Sequence, residues 1–324
     1  MKRIWKDLGI AFVMGLLVPT ALLAAVVSMT ADPPQETEPA EPTQIQSTEP
    51  AAQIRIPVQN ADGTVSEMEL TDYLTGVLLA ELPASFEEEA KKAQAVVART
   101  YTIRAYEGAS KHDGAAVCTE SSCCQGYISS ADFLAKGGTQ EAVEAARNAV
   151  LQTGNDVLTY DGNLIEATYF SCSGGSTEDA VAVWGTDVPY LRATSSPGEE
   201  NASHYTDTIT FTAEEFASAL ALDLQGDPAS WLGPVTYTAG GGVNTMMIGG
   251  ISFEGTALRK ILNLRSTAFT MTAAEEGITV TTRGYGHRVG MSQYGADAMA
   301  ASGSDYAEIL AHYYQGTSLV SWMD

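Results

Sequence analysis

Between Leu8 and Met29 the chain carries no charged side chain, and Leu, Val and Ala dominate. As a helix this run rises about 33 Å, enough to cross the hydrocarbon core of a bilayer. Lys2, Arg3 and Lys6 precede it, which predicts a cytoplasmic tail at 1–7, a single-pass anchor in the cell membrane at 8–29 and an extracytoplasmic remainder. A cleaved signal peptide is the rival reading, although its apolar core is shorter and no compelling small-x-small site precedes Thr30. Residues 30–53 change character to Pro, Glu, Thr and Gln with almost nothing to bury. They predict an extended acidic linker.

Folded patterning begins near Ile54. IRIPV and, after Asp62-Gly63, TVSEMEL alternate as a short strand pair. Thr71 or Asp72 is placed to cap a helix over YLTGVLLAE, which Pro83 ends. Ser85 and Glu88 have capping-box spacing for a second helix from about Phe86 to Tyr106. There Ala90, Ala93, Val97 and Tyr101 recur at helical spacing, and small side chains allow close packing. VLTY, Asp161-Gly162 and LIEATYF read as a hairpin. A segment at about 209–272 has its own helix-and-strand pattern and predicts an inserted lobe. GITVTTRGYGH and a closing helix in SDYAEILAHYY complete the chain. Strands and helices mix without βαβ alternation, so the expected class is α+β, one domain over 54–324 holding a mixed core and a smaller lobe.

Composition adds one exclusion. The 324 residues are 45% hydrophobic, which suffices for a substantial core. With 40 Asp+Glu against 17 Lys+Arg, the net charge of −23 repels polyanions, so no nucleic-acid partner is expected.

Four blocks carry candidate chemistry: YLTGVLLAELPASFEEEAKKAQAVVARTYTIRA at 73–105, VCTESSCCQGY at 117–127, YFSCSGGSTEDAVAVWGTDVPYL at 169–191, and GYGHRVGMSQYGADAMAASGSDYAEILAHYYQGT at 284–317. A smaller block, FEGTALRKILNLRSTAF, lies at 253–269. Their succession resembles the stage II sporulation protein D family of peptidoglycan lytic transglycosylases, which is related to amidase-enhancer proteins. The resemblance implies cleavage of glycan strands during spore engulfment, on substrate already stripped of stem peptides. It also implies two partners, a sporulation protein P-type amidase and a sporulation protein M-type membrane scaffold. The alternative is a non-catalytic wall-binding modifier of an N-acetylmuramoyl-L-alanine amidase.

A lytic transglycosylase needs one carboxyl, because the sugar's own 6-hydroxyl attacks the anomeric carbon. Glu81 follows the apolar run Val77-Leu78-Leu79-Ala80 at the point where the helix must stop, and in the family the Glu of this block is the acid. The bland reading is a cap or a salt bridge to Arg99 or Arg104. Glu87, Glu88 and Glu89 sit in a first helical turn, where carboxylates meet the helix dipole.

His112, Cys118, Cys123 and Cys124 put four zinc-type ligands within thirteen residues, which predicts a closed, structural zinc site; disulfides are the rival. The family commonly has His where Cys123 stands, and no Gly at position 126. No organic cofactor is expected.

Ser173, Gly174, Gly175 and Thr177 form a polar loop suited to sugar hydroxyls. Cys172 within it reads as an inert buried thiol. Trp184 and Tyr190 are candidates for stacking on sugar rings, with core packing equally plausible. In the last block His287, Ser292, Gln293 and Tyr294 are candidates for substrate binding, His287 orienting or polarising. Arg288 stands where the family has Gly, and is expected to narrow the cleft or to meet a substrate carboxylate. His204 and His312 are assigned no role.

Overall fold

The computed structural model describes residues 54–323 apart from 275 and 276. The expected tail, anchor and linker at 1–53 lie outside the described residues. Among the described residues no helix is long and apolar enough to cross a membrane.

The alternating start of the domain forms β1 (Arg55–Gln59) and β2 (Val65–Glu69), antiparallel with Val58 opposite Ser66. Helix α1 (Leu70–Glu81) follows at once, and α2 (Glu88–Arg104) runs through the middle of the domain. The capping box expected at Ser85 and Glu88 does not form. The helix begins later, at an N-cap Glu87 without a side-chain cap, and the Glu87 N–H donates instead to Asp297 Oδ1 at 2.7 Å. A tertiary acceptor replaced the local one.

Short β3 (Val117–Cys118) pairs in parallel with β1 and starts the Cys-rich loop. Then come α3 (Ser130–Ala135), α4 (Gln140–Gln152) and the sheet of β4 (Asp156–Tyr160) and β5 (Asn163–Leu164). Two cores flank α2. One packs Tyr73, Leu74, Val77 and Leu78 of α1 against Val143 and Val150 of α4. The other sets Ala93, Val96 and Val97 of α2 against residues near the C-terminus such as Ile309 and Leu310. The Ala-rich face permits both approaches, and burial of such apolar area is the main stabilising term. Arg99, 2% exposed, closes the join by donating to the Val150 and Asp156 carbonyls at 2.8 and 3.1 Å.

Strand β6 (Tyr169–Phe170) precedes α5 (Ala180–Trp184). Residues from β7 (Thr206–Thr212) onward gather round a third core of Phe216, Trp231, Ile248, Leu258 and Val280. This lobe comprises α6 (Ala213–Leu220), β8 (Leu232–Tyr237), β9 (Val243–Ile248), β10 (Ile251–Glu254), α7 (Gly255–Ile261), β11 (Phe269–Ala274) and β12 (Gly277–Arg283). Its sheets run β10-β9-β8 and β11-β12-β7. The chain re-enters the main body through β13 (Met291–Ser292), which pairs in parallel with β6 by setting Met291 beside Tyr169. Helices α8 (Gln293–Ala301) and α9 (Tyr306–Tyr313) and strand β14 (Ser318–Ser321), antiparallel to β4, complete a mixed α+β architecture. The β6–β13 pair joins residues 122 positions apart, and beside it opens the cleft.

Candidate active site

Glu81 is the last residue of α1, where Leu82 turns extended, so its carboxyl leaves the helix end instead of lying along it. It is partly buried and lines a cleft of about 720 Å³. Neither Arg99 nor Arg104 pairs with it among the described residues. Its partner is the Gly126 N–H, which donates to Glu81 Oε1 at 2.6 Å. A Cβ at Gly126 would stand 2.8 Å from that oxygen, so a residue with no side chain is what permits the contact. Gly76, nearly two turns into α1, serves the same approach: a Cβ there would meet the Tyr127 ring and the Ile128 carbonyl.

The loop that delivers Gly126 also carries the Cys cluster. His112 Nε2 lies 3.3 Å from Cys124 Sγ and 3.6 Å from Cys123 Sγ. With Cys118, the four ligand atoms all fall within 4.8 Å of one another. Tetrahedral zinc with N and S ligands has edges of about 3.5–3.8 Å, so this donor set fits that ion. All four cysteines are free thiols. Only Gln125 separates Cys124 from Gly126, so whatever fixes the cluster fixes the amide that holds Glu81.

The opposite wall comes from β6 and the Gly-rich turn before β13. Tyr169 lines the cleft, its hydroxyl donating to Gln125 Oε1 at 3.4 Å. Burial, and next the neighbouring Glu81 carboxylate, push its phenol well above the ordinary value. His287 also lines the cleft, wedged between the Phe170 and Trp184 rings at 5.5 and 5.3 Å. The Val289 N–H donates to its Nδ1 at 3.1 Å, which leaves the ring proton on Nε2. Burial, aided by the charge of Arg259, pushes the imidazole down to about 4. Near neutral pH it is an uncharged ring. Gln293 lines the cleft, and Trp184 stands at its rim, 45% exposed.

The remaining expected sugar contacts sit elsewhere. Ser173, Thr177 and Ser292 are buried at 0% exposure and do not line the cleft. Thr177 is tied to the backbone of Arg192 and Thr194, while Ser173 and Ser292 serve a residue that the sequence did not single out, Glu199. Its Oε2 accepts from the Ser173 N–H, the Ser173 hydroxyl and the Gly174 N–H at 2.8–2.9 Å. Its Oε1 accepts from Ser196 and Ser292 at 2.6 and 2.5 Å. Gly175 lies on the same turn, its N–H donating to the Ser173 hydroxyl. Tyr294 packs edge-on against Phe86. Cys172 is fully buried beside Glu199, and burial pushes its thiol up to about 12, as an unreactive thiol requires.

Arg288 faces away from the cleft, contrary to expectation. At φ +66° it turns inward at 2% exposure and pairs with Glu178 at 3.0 Å. It also donates to the Ser173, Ser176 and Gly240 carbonyls, tying the polar loop to the lobe. Tyr190 uses its hydroxyl to accept the Glu166 N–H, and Tyr160 packs on its ring. His204 meets Arg265, and His312 donates to the Ser195 carbonyl. Glu166 and Lys111, neither expected, line the cleft as well. They come from loops far from Glu81 in sequence and belong to no recognisable spacing.

Fold and cleft thus define an α+β protein whose open groove is lined by a helix-end carboxylate and a neutral histidine, with a zinc-type cluster on the loop that holds the carboxylate. A family model described as "Stage II sporulation protein" matches residues 59–160, which include Glu81 and all four cluster residues. The chain is 36% identical to stage II sporulation protein D of Bacillus subtilis (strain 168) over 334 residues, 98% of this chain and 96% of that one. It is 36% identical over 337 residues to the protein of that name from Bacillus amyloliquefaciens, at the same shares. Similarity extends, at 31% identity over 307 residues, to an amidase enhancer of B. subtilis, covering 77% of this chain and 40% of that one. The chain belongs to the stage II sporulation protein D family.

Proposed function

We propose that this protein is a membrane-anchored, extracytoplasmic lytic transglycosylase that cuts peptidoglycan glycan strands, stripped of stem peptides, during spore engulfment. One observation carries the reading: the Glu81 carboxyl, freed from the helix end and held by a single backbone amide, opens onto a groove large enough for sugar rings. Protonated Glu81 gives its proton to the glycosidic oxygen as the bond to the anomeric carbon breaks. The muramic 6-hydroxyl then attacks that carbon, and the Glu81 carboxylate accepts the hydroxyl proton. Glu81 returns to its acid form, and the new chain end is a 1,6-anhydro ring. Neutral His287 orients by hydrogen bonding, and Trp184 offers a face for a sugar. Zinc held by His112, Cys118, Cys123 and Cys124 would be structural, since four protein ligands leave no open position. A P-type amidase that strips the peptides and an M-type scaffold are the partners this reading calls for.

The relationship to an amidase enhancer supports a second reading, a non-catalytic wall-binding modifier of an amidase. Digestion of peptide-free glycan strands by the purified protein separates the two. Transglycosylation yields 1,6-anhydromuramic ends by mass spectrometry, and Glu81→Gln yields none while still binding strands. Glu166 is the second carboxylate of the cleft, and hydrolysis needs two. Reducing ends that vanish in Glu166→Gln would make the enzyme a hydrolase, and no new ends at all from the wild type would favour the modifier.

A further inference from the structure

The cleft is lined by two carboxylates, Glu81 and Glu166, in a chain of net charge −23. A glycan stripped of stem peptides is itself an anion, because each muramic residue then ends its lactyl ether in a free carboxylate. An acidic protein acting on such a polymer faces like-charge repulsion unless the groove supplies a local cation. Among the described residues one side chain does so: Lys111 is the only Lys or Arg lining the cleft.

Lys111 is held for such a task. It is exposed, and its Nζ donates to the Cys123 carbonyl at 3.0 Å and to the Tyr101 hydroxyl at 3.4 Å. The ammonium also lies 5.8 Å from the centre of the Tyr101 ring. No carboxylate pairs with it among the described residues, whereas Arg265 at the lobe side is paired with Asp207. An ammonium carries three donor hydrogens, so with two engaged one remains for a ligand. Its backbone neighbour is His112 and its acceptor is Cys123, both in the cluster, so the same loop that fixes Glu81 fixes this charge.

We propose that Lys111 is the specificity-determining residue of the cleft, and that it reads the lactyl carboxylate exposed when a muramic residue loses its stem peptide. The inference rests on the glycan-cleaving reading above. A peptide-bearing muramic residue presents a neutral amide at that position, whose carbonyl accepts only an ordinary hydrogen bond and forgoes the charge-assisted contact a carboxylate makes with the ammonium. Lys111 thereby makes cleavage wait for peptide removal by charge, apart from any steric gate.

The test compares peptide-free glycan strands with the same strands after their carboxylates are converted to methylamides, a small neutral change. Full-length protein should show about tenfold higher kcat/KM on the free acid, carried mainly by KM and weakened by salt. In Lys111→Met that ratio should collapse toward one, and in Lys111→Arg it should persist. Zinc content and the melting curve of Lys111→Met establish that the loop is intact. A Lys111→Met protein that keeps the wild-type ratio overturns the proposal. Should the wild type release no anhydro ends, the enzymatic reading falls by itself. The ratio of Kd values for the two strands, with and without Lys111→Met in the Glu81→Gln background, then decides the role of Lys111.

Discussion

Two regions of this protein look alike in sequence and do opposite things. The Cys-rich loop at 117–127 and the SCSGG turn at 171–175 are both short, polar, glycine-containing and close to a carboxylate. The first presents one amide to Glu81 and leaves that carboxyl open to the groove. The second wraps Glu199, which is 1% exposed, with two amides, the Ser173 hydroxyl and the Cys172 thiol, while the Ser196 and Ser292 hydroxyls close its other oxygen. A carboxylate held by one amide and open to a groove is available to a substrate; one enclosed by six donors is part of the framework. Donors counted per carboxylate, and not residue type, separate a reacting group from a structural one.

That difference is broken most forcefully by making the same substitution on each side. Glu81→Gln should lower the release of anhydro ends by at least about 10³-fold while the melting temperature stays within a degree or two. Glu199→Gln removes the buried charge and puts an NH₂ where an oxygen accepted; the two amide N–H groups at Oε2 cannot accept from it, and the Ser196 and Ser292 hydroxyls at Oε1 must turn to do so and lose the acceptor for their own hydrogens. Breaking such a network costs about 3–5 kcal/mol, a fall in melting temperature on the order of 10 °C. A Glu199→Gln protein as stable as the wild type, or a Glu81→Gln protein that melts much earlier, would erase the distinction.

Next in size is the dependence of Glu81 on the Cys cluster. If the cluster holds zinc as proposed, chelating it should free the loop between Cys118 and Cys124 and let the Gly126 amide move with it. A misplacement of about 1 Å in a catalytic group costs roughly 10²-fold, so activity should fall by that order and return when zinc is restored. Metal analysis should find one ion per chain. Full activity in verified metal-free protein would show that the loop holds its shape unaided.

Gly126→Ala tests the same contact without touching the cluster. The added Cβ would sit against Glu81 Oε1, so the carboxyl must swing or the loop must lift. About a tenfold loss in kcat is expected, with zinc content unchanged. Zinc lost together with activity in Gly126→Ala would point instead to a general disturbance of the loop.

How much of this was legible in the chain follows the same division. The place of Glu81 at a helix end could be read because its signal is local, an apolar helical run, a carboxyl and a proline within a few residues; its role as the acid came from the family resemblance alone. The metal-type cluster was legible for the same reason, four ligands in a short loop. Composition told that SCSGG would hydrogen-bond but not to what, and a sugar and a buried Glu199 make identical demands on hydroxyls and amides. Glu199 itself sits in the unremarkable stretch Pro197-Gly198-Glu199-Glu200, with nothing local to mark it. Arg288 was misread because a cation beside a cleft motif suggests a ligand, whereas its positive φ turns the side chain into the protein toward Glu178. Lys111, Glu166 and Tyr169 reach the groove through pairing of distant segments, which no window of sequence contains. The α+β class was legible because strand and helix periods are local; the delayed start of α2 was not, since Asp297 supplies its first acceptor from 210 residues away.

The smallest expected effect concerns His287, the cleft residue whose environment most resembles the buried side of the comparison. Its ring is lowered from 6.5 to about 4, chiefly by burial. Above pH 6.5 the ring is neutral whether the chain is folded or not. Between 6.5 and 4 only the unfolded chain takes up the proton, so stability falls as pH falls through that window and levels off below it. Full burial would give about 3 kcal/mol; for a partly exposed ring, solvent screening leaves about 1–2 kcal/mol. Urea unfolding of the wild type at pH 6.5, 5 and 4 should show this decline, and His287→Gln, neutral throughout, should show it reduced by that amount. Because the ring stays uncharged down to about pH 4, the wild-type rate should also have no limb near pH 6.5 that the Gln variant lacks. Identical stability slopes in the two proteins would mean that the ring titrates in solvent, and that His287 belongs to the open side of the cleft after all.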